Sequence, residues 1–209
     1  MNPNVASAAW IAGAFFAGAV PFGYLIGRLR GVDVRTVGSK NIGATNVFRT
    51  VGRKWGLAAF ACDVLKGLLP VLAARHWGSA EWLPLAAGVA SVLGHMFTPF
   101  MKFKGGKGVA TAFGMLIALA PALVGAAFLL FAAVFALSHY ISLGSCSAAL
   151  FLAVAVWLPA PWPGHRPTAG EAALITLVAI FVVWKHRSNI SRLLAGTENK
   201  IYLSGRKDK

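Results

Sequence analysis

The chain has 209 residues, 57% of them hydrophobic and only 12% charged, roughly half the charged fraction of an ordinary soluble domain. That composition argues against a water-soluble globular fold and makes lipid the natural solvent; the length suits one compact helical bundle over residues 1–209, with no second domain. A net charge of +14, from 20 Lys and Arg against 6 Asp and Glu, points to nucleic acid, anionic lipid or an anionic small molecule, and its distribution decides among them.

Apolar runs occupy 5–27, 55–74, 82–100, 108–138, 141–158 and 171–185, separated by polar or Pro/Gly-rich connections. The first lacks a preceding basic region and is too long for a signal-peptide core, so it is predicted to be the first span. The second carries Asp63 and Lys66 at i and i+3, which predicts an ion pair inside the bundle rather than two isolated charges in lipid. Cys62 and Cys146 sit in apolar stretches without CxxC spacing and are read as small core residues. The fourth run is longer than a hydrocarbon core of about 30 Å requires at 1.5 Å per residue, and Pro121 interrupts it. It is one kinked span or two short ones.

Seven basic residues fall in 28–54, three in 102–107 and seven in 185–209, leaving only Lys66, Arg75 and Arg166 elsewhere. Such loops between apolar spans suit a membrane face and its anionic ligands, not nucleic acid. Short basic loops stay cytoplasmic, so the chain must cross an even number of times between Lys107 and Lys185. Counting 108–138 as one span gives three crossings there, and splitting it at Pro121 gives four. The expectation is therefore an all-α polytopic membrane helix bundle of seven transmembrane helices, amino terminus outside and carboxyl terminus cytoplasmic. The two halves of the split run would be short enough to tilt or to share a thinned region.

Three polar motifs stand in the basic segments. Gly38-Ser39-Lys40-Asn41-Ile42-Gly43-Ala44-Thr45-Asn46-Val47-Phe48-Arg49 offers glycines for tight turns, donors from Ser39, Asn41, Thr45 and Asn46, and the bidentate fork of Arg49. It reads either as a phosphate-facing segment or as a solvated loop with Arg49 snorkelling to headgroups. Phe103-Lys104-Gly105-Gly106-Lys107-Gly108-Val109-Ala110-Thr111 runs straight into an apolar helix, the layout of an anion site at a helix amino terminus. It is not a nucleotide P-loop, because Gly108 follows the lysine where Ser or Thr would bind magnesium; a flexible loop with interfacial lysines is the alternative. In Lys185-His186-Arg187-Ser188-Asn189-Ile190, His186 and Asn189 share a helix face, and His186 is the best acid/base candidate. An interfacial histidine without chemistry is its competing interpretation. His76 and His165 belong to the opposite face, His139 lies outside the clusters, and His95 precedes the second motif, where it could be structural.

The combination of GSKNIGATNVFR, GHMFTPFMKFKGGKGVAT and KHRSNISRLLAGTE resembles the bacterial acyl-phosphate-dependent glycerol-3-phosphate acyltransferases, the PlsY family, over most of the chain. The resemblance implies transfer of a fatty acyl group from acyl phosphate to the 1-hydroxyl of glycerol 3-phosphate, releasing phosphate and forming lysophosphatidic acid for phospholipid synthesis. It implies no cofactor, no acyl carrier protein or coenzyme A donor, and a seven-helix fold in the bacterial inner membrane with its site facing the cytoplasm. Ser39, Lys107, His186 and Asn189 become the catalytic set. Asn41, Gly43, Thr45, Asn46, Arg49, Lys104, Gly105 and Gly106 become the substrate-binding set. Ser39, without an evident His/Asp relay, is read as a binding or orienting group instead of an acyl carrier. The proton acceptor is His186 or a substrate phosphate oxygen. His76 with Glu81 imitates the His-x4-Asp dyad of other acyltransferases, but on the opposite face and with Glu for Asp.

A transporter for an anionic solute would also use basic glycine-rich loops, but near the midplane and open alternately to both faces; a scaffold binding anionic lipid is a third reading. With so few acidic residues on the basic face, no protein-held metal is expected. A reporter fused after Lys209 is expected in the cytoplasm, and a periplasmic signal would overturn the assigned orientation.

Overall fold

The computed structural model describes residues 3–159 and 167–202; His165, Arg166 and the end of the last basic cluster lie outside the described residues. The chain divides into two compact units, Met1–Pro121 and Ala122–Lys209. No strand occurs among the described residues.

The first unit contains α1 (Pro3–Ala19), α2 (Phe22–Leu29), α3 (Ala44–Thr50), α4 (Arg53–Trp77), α5 (Leu83–Met96), a short 3-10 helix (Pro99–Met101) and α6 (Val109–Leu119). The first apolar run is broken at Val20-Pro21, where proline offers no N–H and its ring crowds the preceding turn. The carbonyls that the break releases find side chains: Lys66 Nζ donates to Val20 O at 2.8 Å and Thr98 Oγ1 to Ala19 O at 2.7 Å. The same Nζ lies 2.7 Å from Asp63 Oδ1, with both side chains buried, so the pair predicted from i,i+3 spacing exists and also anchors a bend.

Around this bend α1 packs on α5, and α4 packs on α5 and α6. The α4–α6 contact is backbone against backbone: a Cβ at Gly114 would run into the Val64 carbonyl, and one at Gly67 into that of Thr111. Without a hydrophobic force between helices in lipid, such close approach is what holds them.

The long fourth run does break at its proline. Helix α6 ends at Leu119, Ala120 leaves helical geometry at φ −144°, and α7 (Pro121–Ser138) begins. Arg75 Nη1 covers the Ala118 carbonyl left without a helical partner, at 3.1 Å. The second unit continues through α7 into α8 (Ile141–Ala155), α9 (Ala169–Lys185) and α10 (Arg187–Leu194), with α8 packed on α9. Thr168 and Glu171 close a capping box at the start of α9, satisfying orphan amides there.

The protein is a multi-pass membrane protein. Among the described residues four stretches are long and apolar enough to cross a bilayer, Val5–Leu29, Arg53–Trp77, Leu83–Met101 and Pro121–Ser138, and five if α9 and α10, bent by 53°, count as one. Helices α6 and α8 have 11 and 15 residues, short of the roughly 20 that span a core without tilt or thinning. The seven-helix expectation needs both to cross.

Gly114→Ala is expected to destabilise the protein by about 1–3 kcal/mol, because the clash is with backbone and cannot relax through a rotamer. Gly125→Ala, where nothing lies within 4 Å of the added carbon, is the control. Equal unfolding midpoints in detergent would refute the backbone contact.

Candidate active site

In the first unit the polar segment after α2 is built by one side chain. Asn46 is 1% exposed; its Oδ1 accepts the Ser39 amide at 2.9 Å, and its Nδ2 donates to Val34 O at 2.8 Å and Val37 O at 3.1 Å. Val34, Ile42, Val47 and Ala59 form the apolar cluster beneath. Asn46, expected among the substrate-contacting residues, has its amide taken by loop backbone. The Gly43 amide is likewise donated to Asn41 Oδ1 at 2.8 Å, and Gly43 in extended geometry starts α3. Thr45 and Arg49 are thus on a helix, Thr45 in its first turn and Arg49 in its last, both half-buried.

The glycine-rich segment lies on the end of α5. Gly106 donates its amide to His95 O at 3.1 Å and Gly105 to Met96 O at 3.2 Å. These two amides, expected to face a ligand, instead tie the loop to the helix before it, because a buried N–H must find an acceptor. Lys107 follows, half-buried, and Gly108 at φ +83° turns the chain into α6.

Between these loops is a cleft of about 440 Å³ lined by Arg35, Lys40, Asn41, Ile42, Phe100, Met101, Lys102, Lys104 and Gly105. Of the substrate-binding set it brings together Asn41, Lys104 and Gly105; Ser39, Arg49 and Lys107 are not among its lining residues. Hydrogen bonds from the Arg35 side chain and backbone, aided by its charge, hold the Asp33 carboxyl down to about 2. The Arg35 charge is therefore balanced, with Nη2 at 2.7 Å from Asp33 Oδ2, while Lys40, Lys102 and Lys104 give the cleft its positive excess.

In the second unit the third motif occupies a corner. His186 caps α9 and starts α10 at φ −90°, ψ 3°, and its ring is buried. Nδ1 lies 2.7 Å from Val182 O. A carbonyl only accepts, so the neutral ring carries its proton on Nδ1 and presents Nε2 as an acceptor. Asn189, one turn on and also buried, donates Nδ2 to Glu198 Oε1 at 2.6 Å. Glu198 also accepts from Ser142 Oγ at 2.9 Å and Arg192 Nε at 2.7 Å. Burial alone would push the Glu198 carboxyl up, but the hydrogen bonds from Asn189, Arg192 and Ser142 hold it below its ordinary 4.5.

Glu198 and Ser142 were not among the sequence candidates. The available signal was the single acid of KHRSNISRLLAGTE, at its end. His95, passed over as structural, is buried with Nδ1 3.7 Å from Asp63 Oδ1. Among the described residues no group of three or more His, Cys, Asp and Glu is placed to hold a metal.

The family model for glycerol-3-phosphate acyltransferase matches residues 8–196. A glycerol-3-phosphate acyltransferase of Trichlorobacter lovleyi is 50% identical over 192 residues, covering 91% of this chain and 95% of that one. The crystal structure of PlsY, an integral membrane glycerol 3-phosphate acyltransferase, in its glycerol 3-phosphate form superposes with a TM-score of 0.81 at 39% identity, covering 94% of this chain and 96% of the other. The lysophosphatidic acid form gives 0.78 at 38% identity with the same coverage, 94% and 96%.

Because the Glu198 carboxyl is held low, its contribution to stability is complete above about pH 4.5 and is lost as pH falls through the depressed folded value. Glu198→Gln should lower stability near neutral pH by about 1–3 kcal/mol and flatten the acid limb of the unfolding midpoint against pH. An unchanged acid limb would refute the assignment.

Proposed function

Because this chain belongs to the glycerol-3-phosphate acyltransferase family, we propose that it moves a fatty acyl group from acyl phosphate to the 1-hydroxyl of glycerol 3-phosphate. The products are lysophosphatidic acid and phosphate. The observation that carries this reading is the cleft between the first two motifs, where Lys40, Lys102 and Lys104 face one space beside apolar Ile42, Phe100 and Met101. It suits a substrate that is anionic at one end and hydrocarbon at the other. The relatives' glycerol 3-phosphate and lysophosphatidic acid forms support substrate and product of the same kind here.

Arg49 and Lys107 hold phosphate, Arg49 through its bidentate fork and Lys107 as a point charge at the α6 amino terminus. Asn41, Lys104 and Gly105 contact the ligand from the cleft wall; Ser39 orients it; Gly43, Thr45, Asn46 and Gly106 set the shape of the two segments. The hydroxyl oxygen attacks the acyl carbon, the bond from that carbon to the phosphate oxygen breaks, and phosphate leaves with the electron pair. The hydroxyl proton passes to Nε2 of His186, whose tautomer is set by Val182, with Asn189 holding that corner of the chain. Acyl phosphate is already activated, so no protein nucleophile is required. Stabilising negative charge on the carbonyl and the departing phosphate is the protein's main contribution.

Residues 1–209 act as one acyltransferase domain in the bacterial inner membrane, crossing seven times with the amino terminus outside and the basic loops and catalytic residues at the cytoplasmic face. Four long apolar stretches and the helix break at Pro121 support this reading, which rests on the charge parity of the three basic clusters.

Purified protein in detergent, given acyl phosphate and glycerol 3-phosphate, is expected to release phosphate and form lysophosphatidate; well-folded protein that does neither would overturn the proposal. His186→Ala should lower turnover per folded molecule by about 10²–10⁴-fold. Near-normal turnover would transfer the base role to a phosphate oxygen.

A further inference from the structure

The buried polar groups of the first unit form a connected series that substrate binding does not account for. Lys66 Nζ reaches from α4 to the Val20 carbonyl at the α1–α2 break and pairs with Asp63. The Lys66 carbonyl accepts Ser91 Oγ of α5 at 2.6 Å. Asp63 Oδ1 then lies 3.7 Å from Nδ1 of His95, in the last turn of α5. On its other side the His95 ring meets the glycine-rich loop: a Cβ added to Gly106 would collide with Nε2, Cε1 and Cδ2, and one added to Gly105 would strike the His95 carbonyl. That carbonyl already accepts the Gly106 amide at 3.1 Å. The loop is thus seated on one residue twice, by a backbone hydrogen bond and by ring contact. The absent side chain of Gly106 is space that the imidazole occupies, not space kept open for a ligand.

We propose that His95 is a positioning residue for the acyltransfer reaction. Its ring, held between the buried Asp63–Lys66 pair and the backbone of Gly106, sets the height of the glycine-rich loop and so aims Lys107 and the start of α6 at the substrate phosphate. The inference rests on the function proposed above, and it gives substrate affinity a contribution from a buried residue that does not line the cleft. A loop displaced by a fraction of an ångström would lose phosphate binding first, since hydrogen bonds and charge contacts to phosphate depend steeply on position. The proton acceptor, His186, is not part of this loop, so the fall in turnover would be the smaller effect.

The test is a double-mutant cycle on His95→Ala and Gly106→Ala, in full-length protein in detergent, with KM for glycerol 3-phosphate and kcat measured separately and thermal unfolding as the folding control. His95→Ala is expected to raise KM by about tenfold while kcat falls by less than about threefold. Gly106→Ala should raise KM by at least as much, because its methyl group displaces the ring. In the double variant the methyl occupies the vacated space, so its KM should lie below that of Gly106→Ala alone; partners in contact are not additive. His95→Asn, which keeps a planar polar group beside Asp63, should recover part of the affinity.

An unchanged KM in folded His95→Ala would overturn the positioning role and leave the enzymatic reading intact. So would losses that simply add in the double variant, or a fall in kcat alone in proportion to a smaller folded fraction. If His95→Ala fails to fold, the comparison of His95→Asn with Gly106→Ala/His95→Asn decides by the same criterion. Wild-type protein with no turnover and no thermal shift on adding glycerol 3-phosphate would overturn the function itself, and this inference with it.

Discussion

A helix that breaks inside an apolar medium releases backbone carbonyls that water is not there to satisfy, and each uncovered group costs several kcal/mol. At three breaks among the described residues the chain meets the demand with side chains. At Val20-Pro21 the acceptors are taken by Lys66 and Thr98; at Ala120-Pro121 the Ala118 carbonyl is taken by Arg75; at the α9–α10 corner Val182 O is taken by His186. Lys66, Thr98, Arg75 and His186, which look out of place in so apolar a sequence, are explained by these breaks. The α9–α10 corner also sets the third motif, since His186 caps one helix and starts the next.

Electrostatics and packing divide the remaining work. The lysines of the cleft are set on irregular backbone, with Lys40 and Lys102 both at positive φ, 55° and 51°, an uncommon conformation for residues with a Cβ. Arg35, lining the same cleft, has its charge offset by Asp33. The site's positive field therefore rests on flexible ammonium groups that can follow an anion, while Asp33 and Asp63 are each committed to a cation.

Much of the architecture was legible in the residues. The apolar runs correspond to helices, Pro121 splits the long run, and the i,i+3 spacing of Asp63 and Lys66 gave their pair, because these are local properties of an α-helix. What was not legible depends on neighbours distant in sequence. Lys66 meets Val20 across 46 positions and Ser142 meets Glu198 across 56, and nothing in the local pattern announces either. The helix over 44–50 has no signature in the first motif, because seven residues are too few to display periodicity. Gly105 and Gly106 were read as openings for a ligand, yet their amides are spent on His95 and Met96; a glycine that admits a ligand and one that admits a neighbouring backbone look alike in sequence. Asn46 was recognised as polar and placed near the right chemistry, but its partners are the carbonyls of Val34 and Val37, which only the folded turn brings together.

The Asn46 staple bears on thermodynamics as well as shape. Ordering a flexible segment against a ligand costs about 1–2 kcal/mol of conformational entropy per residue, and a loop that closed only on binding would subtract that sum from its affinity. Here the segment from Val34 to Ser39 is ordered by an amide that belongs to the protein, so most of this loss falls in folding and little is left for substrate capture. The first motif should then behave as a rigid socket, with small heat-capacity changes on ligand binding, instead of as a lid that gathers around its ligand.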